Sequence, residues 1–188
     1  MSEDEIFIKK KTIKAAYDME TGYRQLMTVW GRTFDPNSVL TEYPRPQMKR
    51  KSYVNLNGQW DHAFTQRTTD KPGDVEWMGK ILVPFSPESL LSGVSRQLKP
   101  DAYLWYRTEV RPPKDYTEGS RLLLHFGAVD QKCVVYINGK KAFGHTGGYL
   151  PFTVDLTDHV RYGDPSAEII LRVSDMTERS YHARGKQL

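Results

Sequence analysis

The chain has 188 residues, the length of one domain with an extension, and 38% of them are hydrophobic, so it has enough apolar side chains for a packed core. Disorder over the whole chain is therefore excluded. Lys and Arg number 27 against 23 Asp and Glu, a mild excess that gives a formal net charge of +4. The basic residues cluster only in short runs, at residues 9–11 and 49–51, so we predict solvated surface and no nucleic-acid partner.

The sequence predicts neither a membrane protein nor a secreted one. Its uninterrupted apolar runs are no longer than about five residues, whereas a helix that spans a bilayer needs about 20. The acidic start, Met-Ser-Glu-Asp-Glu, lacks the basic and apolar regions of a signal peptide, so we expect a cytoplasmic protein without a membrane partner. The single cysteine, Cys133, lies in an alternating apolar run, which favours a small core residue over a nucleophile.

Residues 1–40 form the least regular part of the sequence and are predicted to be an N-terminal arm. Pro44 and Pro46, just after this arm, favour an extended backbone and interrupt any helix. We expect the arm to wrap the main domain through the aromatic side chains of Trp30 and Tyr43.

Residues 41–188 are predicted to form one β-sandwich domain. The first strand is indicated by alternation over residues 58–64, which places Trp60, His62 and Phe64 on one face. Further short apolar runs follow, separated by turn-forming residues, at positions 80–83, 102–110, 121–126, 132–137, 140–143, 149–155 and 167–173.

The dipeptide Asn138-Gly139 gives the strongest local signal, because both residues accept the positive φ angles of a tight hairpin turn. About eight short strands with almost no helical periodicity predict an all-β fold, an antiparallel β-sandwich. The connection over residues 85–101 is longer than ordinary loops, and it is either functional or a structural crossover.

No local catalytic or cofactor motif occurs in the sequence, which lacks a nucleophile elbow, a phosphate-binding loop and a dinucleotide fingerprint. The five histidines show no metal-ligand spacing, so we predict no metal site and no cofactor. Carboxylates are plentiful, and none stands out as a catalytic pair. Tyr103, Trp105, Tyr106 and Tyr149 could stack on sugar rings, although core packing is the commoner fate of such side chains.

Several strings, in order, resemble the opening domain of glycoside hydrolase family 2, the group of β-galactosidases, β-glucuronidases and β-mannosidases. They are Tyr-Pro-Arg-Pro-Gln-Met at 43–48, Val-Asn-Leu-Asn-Gly-Gln-Trp at 54–60, Val-Pro-Phe-Ser-Pro-Glu-Ser at 83–89, Leu-Trp-Tyr-Arg at 104–107, Val-Tyr-Ile-Asn-Gly-Lys at 135–140 and Gly-His-Thr-Gly-Gly-Tyr-Leu-Pro-Phe at 144–152. Tyr53 departs from the pattern, which has Trp there, but it keeps an aromatic ring. The order and spacing of the strings are far more specific than any one of them.

The resemblance implies a jelly-roll sandwich of the galactose-binding type, conventionally called the sugar-binding domain of the family. It also implies that the parent protein is a retaining β-glycosidase, which hydrolyses O-glycosyl bonds of a β-linked carbohydrate. In this family both catalytic glutamates lie on a separate barrel, downstream of an immunoglobulin-like domain. The Asn-Glu dipeptide of the acid/base glutamate is absent here, so this chain by itself is expected to be inactive and to have those two domains as partners.

The end of the chain resembles the family segment that leads into the last strand of the sandwich, so we expect the domain to be truncated before that strand. In relatives this closing loop approaches the barrel mouth, which makes Asp175, His182 and Arg184 substrate-binding candidates, while packing against the barrel is the alternative role. A strand edge left unpaired by the truncation would favour a homo-oligomer. The alternative functions are a free-standing carbohydrate-binding module and an unrelated interaction domain.

Overall fold

The computed structural model describes residues 28–43, 46–48, 50 and 52–176. Within these residues, one α-helix, α1 (Val29–Thr33), precedes eight strands: β1 (Gly58–Gln66), β2 (Gly79–Val83), β3 (Ala102–Val110), β4 (Leu123–Phe126), β5 (Lys132–Ile137), β6 (Lys140–Thr146), β7 (Phe152–Asp155) and β8 (Ala167–Ser174). Short 3₁₀ helices cover Pro46–Met48, Pro72–Asp74 and Leu90–Ser92. None of the helices in the described part of the chain has the length and apolar character needed to cross a bilayer.

The strands form two antiparallel sheets. One has six strands in the order β2-β1-β3-β8-β5-β6, and the other pairs β4 with β7. The main core lies between the sheets, where alternate residues of the large sheet, such as Trp60, Val135 and Ile169, meet Val154 of the small one. The predicted antiparallel β-sandwich is therefore confirmed, and Cys133 is confirmed as a buried core residue.

The outer face of the large sheet is also covered, which simple alternation did not predict. After β1 the chain crosses this face through residues 67–78 and places Val75 and Trp77 on a second apolar cluster. The buried members of that cluster are Ala63, Val75, Trp105, Tyr136 and Ile170. Residues of β1, β3, β5 and β8 on both faces are thus removed from water.

The β5–β6 hairpin turns at Asn138 and Gly139, whose φ angles are +50° and +75°. This confirms the turn predicted from the dipeptide. The Asn138 side chain adds two bonds: its Nδ2 donates to the His159 carbonyl at 3.3 Å, and its Oδ1 accepts from the Glu168 N–H at 2.9 Å.

Residues 85–101 connect β2 to β3, which lie on opposite sides of β1. The segment therefore passes over β1, where Arg96 lies 4.2 Å from the centre of the Phe64 ring and Val94 packs on the main core. Its 3₁₀ turn is held by the buried hydroxyl of Ser92, which donates to the Ser89 carbonyl at 2.7 Å. These contacts are those of a structural crossover.

The described part of the arm attaches only partly as the sequence predicted. Trp30 is 81% exposed, because it lies on a five-residue helix that buries none of its residues. The arm packs instead through Phe34, whose ring meets Phe85 edge-on at 5.2 Å, and through Val39, which is buried. Tyr43 does contact the domain, with its ring 4.8 Å from that of Tyr53. Most of residues 1–40 lies outside the described residues.

Candidate functional site

The end of the sandwich where β8 stops holds Asp175. Ser174 pairs with Lys132, and the Gln131 N–H donates to the Ser174 carbonyl at 3.4 Å. The Gly147 N–H in turn donates to the Gln131 carbonyl at 2.8 Å. We call this end the rim and define it as residues 127–131, 147–151 and 175–176, with Arg67 after β1 and Tyr103 in β3. His182 and Arg184 lie outside the described residues.

A glycine pair shapes the loop at residues 147–151 of the rim. Gly147 has a φ of +123°, a conformation that favours glycine. A Cβ on Gly148 would lie 2.5 Å from Cγ of Asp130 and 3.0 Å from its Cβ, so no larger residue fits there without displacing that carboxylate. The pair thus lets the loop backbone approach Asp130 closely.

The same loop is supported from below by aromatic stacking. The His145 ring stacks on Phe152 with 4.1 Å between ring centres, and its Nε2 lies 3.0 Å from the Gly147 carbonyl. Phe126 and Phe143 stack on Phe152 as well, at 4.8 and 5.8 Å. At the tip, Tyr149 is 58% exposed and Leu150 is 71% exposed. A rigid base therefore presents an apolar tip to the surroundings.

On the outer face, two guanidinium groups, Arg67 of the rim and Arg172 of β8, lie around the rim residue Tyr103. The Arg172 guanidinium lies 4.6 Å from the centre of the Tyr103 ring, and that of Arg67 lies 5.5 Å from it. Arg172 also donates to the Asp70 carboxylate at 2.6 Å. This part of the rim is suited to recognising anionic or planar groups.

The rim offers hydrogen bonding and charge rather than a reactive centre. Among residues 28–43, 46–48, 50 and 52–176, no three His, Cys, Asp or Glu side chains come together closely enough to hold a metal ion. Groups with displaced pKa values lie elsewhere: burial lowers the pKa of His62, and burial with Glu88 nearby raises that of Tyr106. Burial likewise raises the pKa of the Cys133 thiol to about 11, so it is a poor nucleophile.

The four aromatic residues singled out from the sequence have different surroundings. Trp105 is fully buried, and its Nε1 donates to the Thr65 hydroxyl at 2.9 Å, so it is a core residue. Tyr106 packs against the main core, and Tyr103 is half-buried beside the arginines. Tyr149 alone among the four is largely exposed.

The sequence reasoning missed Arg67 and Arg172 altogether. Arg172 pairs with Trp105 across β3 and β8, so its side chain shares the outer face with the aromatic residues there. That placement depends on strand register, and only the alternation of polar and apolar residues within β8 could have suggested it.

At the opposite end of the sandwich, an open depression of about 460 Å³ lies between two loops. Its aromatic wall consists of Tyr116 and Tyr162, and its polar lining includes Glu118, Arg121 and Thr157. The Tyr116 hydroxyl donates to the Val160 carbonyl at 3.0 Å, which ties the two loops together. This surface combines aromatic rings with hydrogen-bonding groups.

These features define an all-β domain built as an antiparallel β-sandwich. The family model described as "Glycosyl hydrolases family 2, sugar binding domain" matches residues 93–181. The β-glucuronidase of Chlorocebus aethiops is 31% identical in an alignment of 144 residues, which covers 70% of this chain and 22% of that protein. The β-galactosidase of Thermoanaerobacter pseudethanolicus is 31% identical over 81 residues, 43% of this chain and 11% of that protein.

Solved structures agree on the fold. The β-glucuronidase of Faecalibacterium prausnitzii superposes with a TM-score of 0.53 at 24% identity, over 71% of this chain and 22% of that one. A β-glucuronidase of Ruminococcus gnavus gives 0.55 at 20% identity, over 71% and 23%. By the family model, residues 93–181 of this chain are a sugar-binding domain of glycoside hydrolase family 2. The chain spans 22% or less of the length of the two relatives compared above.

Proposed function

We propose that this chain is the N-terminal domain of a retaining β-glycosidase that hydrolyses β-glucuronides or β-galactosides, and that it supports the catalytic barrel of that enzyme. The observation that carries this proposal is the match of 70% of the chain to 22% of a β-glucuronidase. Both catalytic glutamates belong to the barrel in this family, so the chain on its own is inactive. An immunoglobulin-like domain and the barrel are its proposed partners in the same polypeptide.

The rim is the surface that we propose to face the barrel. Tyr149 and Leu150 project apolar surface from a loop that Gly148 holds against Asp130. An exposed apolar tip on a rigid base suits docking onto a neighbouring domain. Asp175 lies at the same end, where its carboxylate can accept hydrogen bonds from sugar hydroxyls at the edge of the active site.

The proposed contact of Asp175 with substrate is tested by kinetics of the longer enzyme, expressed from the full reading frame to which this chain belongs. Asp175→Asn should raise KM for p-nitrophenyl glycosides and leave the melting temperature near that of the parent. Asp158→Asn, an exposed aspartate at the opposite end of the sandwich, is the matched control. Equal kinetic constants for the two variants would remove Asp175 from the substrate site.

A free-standing carbohydrate-binding module is a second candidate, favoured by the depression between Tyr116 and Tyr162. Such a module binds neutral β-linked oligosaccharides without a barrel. Isothermal titration of the chain and of a Tyr162→Ala variant distinguishes the two functions. Saturable binding that Tyr162→Ala abolishes would favour the module, whereas no binding supports the accessory role.

A further inference from the structure

Three arginines of this chain offer the same edge of the guanidinium, formed by Nε and Nη2. Arg107 directs this edge at the Asp61 carboxylate, with distances of 3.1 and 2.9 Å. Arg121 does the same to Asp155, at 3.0 and 2.6 Å. In Arg67, the Nη2 meets the Met176 Sδ at 2.9 Å, and the buried Nε has no hydrogen-bond partner.

Arg67 is therefore a charged group whose hydrogen-bonding needs are not met. A thioether sulfur is a weak acceptor, and a buried N–H without an acceptor is costly. Within the described part of the chain, the ion pairs shorter than 4 Å are formed by Lys80, Arg107, Arg121 and Arg172, and none includes Arg67. The neighbouring carboxylate of Asp70 is engaged by Arg172, which also binds the Asp70 carbonyl at 3.2 Å.

The surroundings of Arg67 favour an anion over a neutral group. The Arg172 guanidinium shares the Tyr103 ring with it, so two cations lie near one aromatic ring, and the Asp70 carboxylate pairs with Arg172. The edge of a guanidinium can donate two hydrogen bonds to a carboxylate. The other two arginines use that edge on a carboxylate, since Nε and Nη2 of Arg107 both donate to Oδ2 of Asp61 and those of Arg121 both donate to Oδ2 of Asp155.

We propose that the Nε and Nη2 edge of Arg67 is a carboxylate-binding site, which the side chain of Met176 covers when no ligand is bound. Met176 is suited to this role because its unbranched, flexible side chain can move aside at little cost. The carboxylate can come from a uronic acid or from an acidic side chain of a neighbouring domain. The choice of a uronate as the ligand rests on the proposed function. The binding of a simple carboxylate to Arg67 does not depend on that function.

The site is tested by NMR of the arginine Nε–H groups in the ¹⁵N-labelled chain. Arg67→Lys and Arg107→Lys assign the two signals, because lysine keeps the charge and lacks the edge. Sodium acetate, sodium glucuronate and galactose are added at constant ionic strength, which chloride maintains. The Arg67 signal should shift saturably with both carboxylates at about millimolar affinity and stay unchanged with galactose. The Arg107 signal should not move, because Asp61 already occupies its edge.

The comparison of the two carboxylates identifies the source of the ligand. Glucuronate binding at least tenfold more tightly than acetate means that the sugar ring contributes, and equal binding means that the carboxylate alone is recognised. Either result supports the site. A shift that does not saturate, or one that Arg107 shares, would overturn it.

The proposal that the Met176 side chain covers the Arg67 edge is tested separately with Met176→Ala and its size-matched control, Met176→Leu. If Met176 occupies the edge for most of the time, Met176→Ala should tighten acetate binding about threefold or more, and Met176→Leu should not. Unchanged affinity in Met176→Ala would overturn the covering role. Neither measurement involves hydrolysis, so failure here and failure of the proposed function are distinguishable.

Discussion

Gly148 and Asp130 lie so close that a methyl group on Gly148 would overlap the Asp130 carboxylate, with 2.5 Å between the added carbon and Asp130 Cγ. This contact fixes the path of the loop that carries Tyr149 and Leu150. The path of the loop therefore depends on Gly148 having no side chain and on the position of the Asp130 side chain.

Gly148→Ala should lower the free energy of unfolding by about 1–3 kcal/mol, because the Asp130 side chain must move out of its place. Denaturant titration measures the change. Gly127→Ala is the matched control, since a Cβ there meets nothing within 4 Å. The double variant Gly148→Ala with Asp130→Ala should lose less stability than the two single changes added together. Additive losses would contradict the contact.

Trp105→Ala should cost about 3–5 kcal/mol, because the fully buried ring fills the cluster on the outer face. Tyr149→Ala removes a ring that is 58% exposed and should change stability by no more than about 0.5 kcal/mol. Thermal and denaturant unfolding of both variants check the contrast. Similar losses in the two variants would mean that the crossing of residues 67–78 does not bury Trp105.

His62 should make the chain less stable as pH falls below about 6.5, the ordinary pKa of histidine. Burial lowers the pKa of His62 in the folded state, with Arg96 adding to the effect and Asp61 opposing it. The unfolded chain therefore binds the proton first, and stability falls as pH drops. His62→Phe should flatten this part of the stability profile, whereas replacing the exposed His125 should leave it in place. An unchanged slope in His62→Phe would contradict the prediction.

Asp61 should contribute stability that is lost in acid. Burial opposes its ionisation, but hydrogen bonds from Lys80 and Arg107 outweigh burial and lower its pKa. The contribution is therefore complete above the ordinary pKa of aspartate, about 3.9, and is lost as pH falls through the lower folded value. Asp61→Asn should destabilise the chain by about 1 kcal/mol at pH 7 and by less at pH 3. A loss that is equal at both pH values would contradict the ion-pair account.

Local sequence patterns predicted the strands, because each of these patterns depends only on residues that are neighbours in the sequence. The alternation around Trp60 and the Asn138-Gly139 turn needed no knowledge of distant parts of the chain. The burial of Ala63 could not be foreseen, because it depends on residues 67–78 crossing a face that alternation assigns to solvent. The exposure of Trp30 was missed for a related reason, since an aromatic ring indicates burial only when a surface is present to receive it.

The rim was predicted only in part. The resemblance to family sequences placed Asp175 at the closing end of the last described strand, and the structure puts it at the end of the sandwich that also holds the glycine loop. Arg67 follows β1 and meets Met176, which is 109 positions away in the sequence. Such a contact arises from the order of strands in the sheet, and no spacing in the sequence encodes it.

The accessory role is tested most directly by measuring hydrolysis of p-nitrophenyl β-glucuronide and β-galactoside. The purified chain is compared with the protein expressed from its full reading frame. The account predicts no turnover by the chain and turnover of one of these substrates by the longer protein. Turnover that co-elutes with the isolated chain and increases in proportion to its concentration would contradict it.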